Sequence, residues 1–158
     1  MKHYSMLTAD YLDSLDIPLV KDGKNKCEYL NIESAFDIET TSTIYNGEKS
    51  AFMYVWMFGI GYGNDVFYGR TWEEFLSLCE LLGVYFDLHE NKRLITYVHN
   101  LGYEFQFMRK YFNWVDGGLF AVDERKPIKC LCDYGIEFRD SYILSGFSLE
   151  NTAKNLTK

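Results

Sequence analysis

The order of its apolar runs constrains this chain more than any single motif. "SAFDIE" (34–39) reads as a strand. "SAFMYVWMFGIGYG" (50–63) is aromatic and β-branched, and "DVFYGR" (65–70) follows Gly63-Asn64, so the two read as a hairpin. "TWEEFLSLCELLGVYF" (71–86) is the clearest helix. Thr71 and Glu74 have the spacing of a capping box, and Phe75, Leu78, Leu82 and Tyr85 form an apolar stripe. "RLITYVHN" (93–100) reads as a strand buried on both faces. It breaks at Asn100–Gly102 into a second helix, "YEFQFMRKYFNW" (103–114). "GLFAVDE", the turn "ERKP" and one strand through "IKCLCDYGIEFRDS" (128–141) follow, and Ser148 caps a short final helix, "SLENTAKNL". Strands that alternate with helices in this way predict an α/β fold, a mixed sheet with flanking helices.

No repeat, low-complexity tract or Pro/Ser-rich linker divides the chain, and 158 residues suffice for one domain with a real core. Residues 1–32 read as an N-terminal lead-in, with "TADYLDSLDIPLV" a helical turn ended by Pro18 and "KDGKNK" a charged loop. Residues 33–158 read as the folded domain. An apolar fraction of 47% with 18% aromatics excludes disorder. The net charge of −7 argues against a non-specific polyanion binder. It leaves nucleic acid open, because ions bound at an acidic site reverse its local sign. The polar, mixed start is no signal peptide, and the longest apolar-rich run is too short to span a bilayer, so no membrane partner is expected. The four cysteines form no CxxC pair. Cys130 and Cys132 could share one strand face as zinc ligands, but free buried thiols in a reducing compartment are the preferred reading. "DERKPIK" (123–129) reads as a solvated hairpin tip that could touch a phosphate backbone.

The acids carry the functional question. Asp37 and Glu39, two residues apart at the end of the first strand, point to one face. Like charges there repel unless they are solvated or hold a cation. On pattern alone, a strand end dissolving into a loop explains them. The stretch "ITYVHNLGYEFQFM" (95–108) also leaves an apolar strand through a polar turn, and it places Glu104 on the first turn of a helix, where a carboxylate is favourable in any case. If the two strand ends are neighbours, Asp37, Glu39 and Glu104 can hold two divalent ions about 4 Å apart, the arrangement used for in-line phosphodiester cleavage. Hard oxygen ligands suit Mg²⁺ or Mn²⁺.

These residues carry a resemblance. "FDIETTS" resembles the first exonuclease motif, D-x-E, of family B DNA polymerases, and "YVHNLGYEFQF" resembles the second, N-x-x-[FY]-acid. "HNLGYEF" and "RDSYILSGFSLENTAKNLTK" are most similar to the protein-primed branch found in phages, linear plasmids and related mobile elements. The resemblance covers residues 33–158 and implies a ribonuclease-H-like exonuclease domain of the DEDD type. Such a domain removes mismatched nucleotides from a DNA 3′ end with two Mg²⁺ or Mn²⁺ ions. It implies that Asp37, Glu39 and Glu104 are metal ligands and catalytic. It places Thr40, Asn100, Ser141 and Tyr142 against the single-stranded 3′ end. Tyr97, His99, Tyr103 and Phe107 fall beside that strand or a terminal protein. Implied partners are a DNA 3′ end, a terminal protein and the rest of a polymerase; the implied location is the cytoplasm of a bacterial host.

The chain departs from the pattern in three ways. The second-motif acid is Glu104, one bond longer than the usual aspartate. The third motif, Y-x-x-x-D, which supplies a fourth acid and a water-orienting tyrosine, is not found before Lys158; Asp140 and Glu150 lack its tyrosine. The polymerase region is absent from the sequence. The expectation is therefore a nuclease that is weak or inactive alone. The alternative is a non-catalytic phage or mobile-element protein that binds nucleic acid or a host protein, for which aromatic side chains offer a stacking surface worth about 1–3 kcal/mol per base.

Overall fold

The computed structural model describes residues 1–21, 26–61, 65–123 and 126–156. In chain order the elements are β1 (Lys2–His3), α1 (Ala9–Asp13), β2 (Leu19–Lys21), β3 (Glu28–Leu30), β4 (Ser34–Tyr45), β5 (Glu48–Ile60), β6 (Val66–Gly69), α2 (Trp72–Tyr85), β7 (Lys92–Val98), α3 (Leu101–Met108), β8 (Phe120–Asp123), β9 (Lys126–Leu131), β10 (Ile136–Asp140), α4 (Tyr142–Ser145) and α5 (Leu149–Leu156). The chain is thus α/β with a mixed sheet.

The sheet runs β1-β6-β5-β4-β7-β10-β9-β8, with β3 pairing both β2 and β7. β4, β5 and β6 form an antiparallel meander. β7 then returns parallel to β4, and β10 lies parallel to β7 on its other side. The expected hairpin of β5 and β6 is present, although its Gly63-Asn64 turn lies outside the described residues, as do most of the "KDGKNK" loop and part of the "ERKP" turn.

One face of the sheet packs against α2. That helix starts where the capping box places it: Thr71 Oγ1 accepts from the Glu74 amide, and Glu74 Oε2 accepts from the Thr71 amide. Phe75 is fully buried at the centre of an aromatic cluster. Its ring stacks on Phe36 at 4.3 Å and lies against Trp56, Phe58, Phe112 and Phe138. The buried Glu137 of β10 meets two partly exposed arginines, Arg93 of β7 and Arg139 of its own strand, each at 2.5 Å, and the Arg93 pair fastens β7 to β10.

Four expectations need correction. β4 does not end at Glu39; it runs on to Tyr45, because the β-branched and hydroxyl residues after Glu39 pair with β5. β7 is not buried on both faces: Leu94, Thr96 and Val98 face the core, while Tyr97 is 37% exposed. The second helix stops at Met108 rather than continuing to 114. Residues 128–141 are two strands, since the chain reverses over Asp133–Gly135.

That reversal depends on glycine. Gly135 has φ +73°, and a Cβ there would lie 2.6 Å from Leu88 Cβ and 2.7 Å from the His89 backbone nitrogen. Gly135→Ala combines a left-handed backbone with a clash against main chain. It is expected to cost about 2–3 kcal/mol, read as a lower urea midpoint at unchanged slope; an unmoved midpoint would contradict the turn as described.

Candidate active site

The parallel pairing of β4 with β7 covers only Ala35 with Tyr97 and Phe36 with Val98. Beyond Val98 the chain leaves the sheet. Asn100 takes a left-handed conformation (φ 71°), which an asparagine tolerates better than most residues, and α3 begins. Asp37 is therefore the first β4 residue with no backbone neighbour on the β7 side. Val98 also pairs with Asp140, the last residue of β10, so three strands open to the same level at their carboxyl edge. Ligands gather at such edges in α/β sheets.

The alternation of β4 sends Phe36 and Ile38 into the core and leaves Ala35, Asp37 and Glu39 on the opposite face. Glu39 is exposed, and a register shift follows it, between Glu39 and Thr40. Bulges of this kind redirect a strand next to functional sites. Past it, Thr41–Ile44 and Glu48–Phe52 are exposed along their length, a two-stranded ribbon reaching away from the core.

Glu104 lies on the first turn of α3, only 4% exposed. Burial pushes its carboxyl up to about 8; its own backbone N–H opposes this, and the negative charges of Asp37 and Asp140 add to it. Asp37 is also raised, by burial first; the Ile38 amide works against this, Glu39 reinforces it, and His99 opposes it. Glu104 thus feels the charges of both Asp37 and Asp140. Asp140 is the acid that sequence reasoning passed over. Its signal was the parallel register of β10 with β7, which local pattern does not carry. Asp140 also accepts from the Tyr142 amide at 2.7 Å, which starts α4.

Among the described residues, three buried side-chain polar atoms have no hydrogen-bond partner, and two of them are here: Glu104 Oε2 and His99 Nε2. Buried polar atoms are nearly always paired, so both signal a missing partner. An orphaned carboxylate oxygen is a hard donor of the kind a divalent cation takes. As they stand, no three His, Cys, Asp or Glu side chains among the described residues are close enough together to hold an ion.

The remaining candidates surround these acids. Thr40 Oγ1 and the Tyr103 hydroxyl are 2.5 Å apart, tying the ribbon to α3, and the Tyr103 ring lies 5.2 Å from Phe107. His99 Nδ1 is 3.3 Å from Ser141 Oγ, and its ring meets Tyr142 edge-on at 5.5 Å. Asn100 is exposed at the N-cap of α3 and makes no side-chain cap bond. Tyr97 lines a cavity of about 310 Å³ together with Asp37, Met57, His99, Ser141 and Leu149 of α5. It also lines two further cavities along the open face, one toward Glu33 and Val66 and one toward Tyr29 and Arg139. Tyr97 therefore borders all three cavities, one of which Asp37 also lines.

No protein-family model, curated protein or solved structure matches this chain. No helix among the described residues is long and apolar enough to cross a membrane.

Proposed function

We propose that this chain is a ribonuclease-H-like 3′-5′ exonuclease domain of the proofreading type, similar to that of protein-primed DNA polymerases, acting on single-stranded DNA 3′ ends. The observation that carries the reading is Glu104: a buried carboxyl with an orphaned oxygen, pushed up further by the charges of Asp37 and Asp140, where three parallel strands open. The strand order β6-β5-β4-β7-β10, with only β5 antiparallel to its neighbours, supports the fold part of it. The two motifs resembled in the sequence fall at this one place, the first on β4 and the second across the β7–α3 turn.

In this reading Asp37, Glu39 and Glu104 hold Mg²⁺ or Mn²⁺. Bound divalent ions supply an activated water and stabilise the leaving oxygen of the phosphodiester. The protein's own groups position the strand. Tyr97 offers a half-exposed ring beside these cavities on which an unpaired base stacks. The Thr40–Tyr103 hydroxyl pair and the Asn100 side chain present hydrogen-bonding groups to sugar and phosphate oxygens. His99, Ser141 and Tyr142 wall the acids on the β10 side, and Phe107 supports the Tyr103 ring. A terminal protein or polymerase partner belongs to the same proposal.

A second reading is a non-catalytic binder of nucleic acid or of a host protein, favoured by the exposed rings of Tyr97, Tyr103 and Tyr142. Digestion of a 5′-labelled single-stranded DNA with Mn²⁺ separates the two. A ladder shortening from the 3′ end is expected; intact DNA that is nevertheless retained on the protein would replace the nuclease with the binder.

A further inference from the structure

Parallel strands are ordinarily buried on both sides. On the face of the sheet opposite α2, however, Ala35 of β4 and Tyr97 of β7 are exposed in the middle of the strand order. Register sets one row of side chains across this face. Ala35 pairs with Tyr97, Tyr97 with Arg139, and Arg139 with Lys129. Their sequence neighbours Phe36, Val98, Phe138 and Cys130 all lie in the core, so the row points the other way. Two strand spacings separate the Lys129 backbone from that of Tyr97, about 10 Å.

Two cavities adjoin this row. One, of about 490 Å³, is lined by Tyr97, Ile95, Arg139, Ile32 and Tyr29 among others. The second, of about 280 Å³, is lined by Tyr29, Arg93, Lys129 and Gly117–Gly118 among others. Tyr29 borders both, and the guanidinium carbon of Arg139 lies 5.4 Å from the centre of its ring. Positive charge collects here. Arg93 and Arg139 both hold the Glu137 carboxylate, which also feels the charge of Lys129. Three cations thus share one buried carboxylate, in a chain of net charge −7. Glu33 lines the first cavity, and Glu90 and Asp116 line the second; among the described residues none of these acids forms an ion pair with the three cations. Rings beside surplus cations suit an unpaired nucleotide, whose base stacks on a ring or guanidinium plane while its phosphate meets the charge. We propose that this row is a subsite for single-stranded DNA. It holds a nucleotide upstream of the 3′ end, with the base in the cavity that Tyr97 and Tyr29 line and the phosphate on Arg139 and Lys129. This rests on the DNA-binding part of the reading above and adds the path of the strand; no metal ion enters it.

The test is binding of a 5′-fluorescent hexathymidylate to the full chain, read by anisotropy over a range of salt concentrations. EDTA is present throughout, so that no metal-dependent cleavage intervenes. Lys129→Gln should weaken binding and flatten the slope of log K against log salt by about 0.7, the share of one phosphate contact on a single strand. Lys129→Arg, which keeps the charge, should restore both. Tyr29→Leu should weaken binding by at least about fivefold at unchanged slope, because a stacking ring is lost. Melting temperatures check that the variants fold; the Lys129 pair breaks no ion pair among the described residues and decides the matter if Tyr29→Leu melts early. Binding that neither Lys129→Gln nor Tyr29→Leu changes overturns this inference and leaves the nuclease reading intact. No binding by the parent also overturns it. A slope flattened by Lys129→Gln in a chain that gives no Mn²⁺ ladder upholds the subsite and overturns the nuclease.

Discussion

Glu104→Gln is expected to make this protein more stable at alkaline pH and to leave it nearly unchanged at pH 5. In the folded, metal-free chain the Glu104 carboxyl holds its proton up to about pH 8, against an ordinary value of 4.5 when unfolded. Between those values the folded state binds more protons than the unfolded state, so stability falls as pH rises through that window and levels off above it. Forcing the buried carboxyl to ionise beside Asp37 and Asp140 costs on the order of 4 kcal/mol by pH 9. Glutamine keeps the shape and removes the charge, so the variant should lose most of the slope. Urea unfolding at pH 5, 7 and 9 measures it. A parent whose stability is flat across that range would contradict the buried, charge-crowded Glu104. A divalent ion should recover the lost stability at pH 8, because it favours the ionised carboxylate and displaces its proton.

The second large effect concerns activity. Asp37→Ala combined with Glu39→Ala is expected to reduce Mn²⁺-dependent shortening of single-stranded DNA by at least about 100-fold, since changes in the outer shell of a metal site alone cost 10–100-fold. The fold should survive. Asp37 is raised by burial and by its neighbour Glu39, so removing both relieves repulsion, while Phe36 and Ile38 keep β4 on the core. Equal cleavage by parent and variant would assign the activity to other residues or to a contaminant.

What the sequence made legible, and what it hid, divides along contact range. The start of α2 was readable because a capping box is written in four consecutive residues, and its buried stripe followed from helical period. The hairpin of β5 and β6 followed from the order of apolar runs, whereas the antiparallel pairing of β4 with β5 and the parallel return of β7 beside β4 are set by long-range register. β4 was cut short because acids followed by hydroxyl residues look like a turn; its continuation depends on β5 for pairing. The Asp133–Gly135 reversal was missed because "CDYGI" sits inside an otherwise apolar stretch. At the site, Asp37 and Glu104 were visible as acids leaving two strands, and the effect of Asp37 on Glu104 depends on the fold bringing those strand ends together. Asp140 was invisible as a neighbour, because only the register between β10 and β7 brings it to the edge. The two orphaned atoms were invisible too, since the lack of a partner is a property of three dimensions.

The central claim is that these carboxylates form a divalent-ion site, and thermal unfolding with and without Mn²⁺ tests it most directly. An ion that binds only the folded chain at 100 times its dissociation constant adds about 2.7 kcal/mol. The account predicts a melting temperature that rises with Mn²⁺ concentration in the parent and stays fixed in the Asp37→Ala/Glu39→Ala variant. A parent that melts at the same temperature at every Mn²⁺ concentration, or a variant that gains as much as the parent, would contradict it.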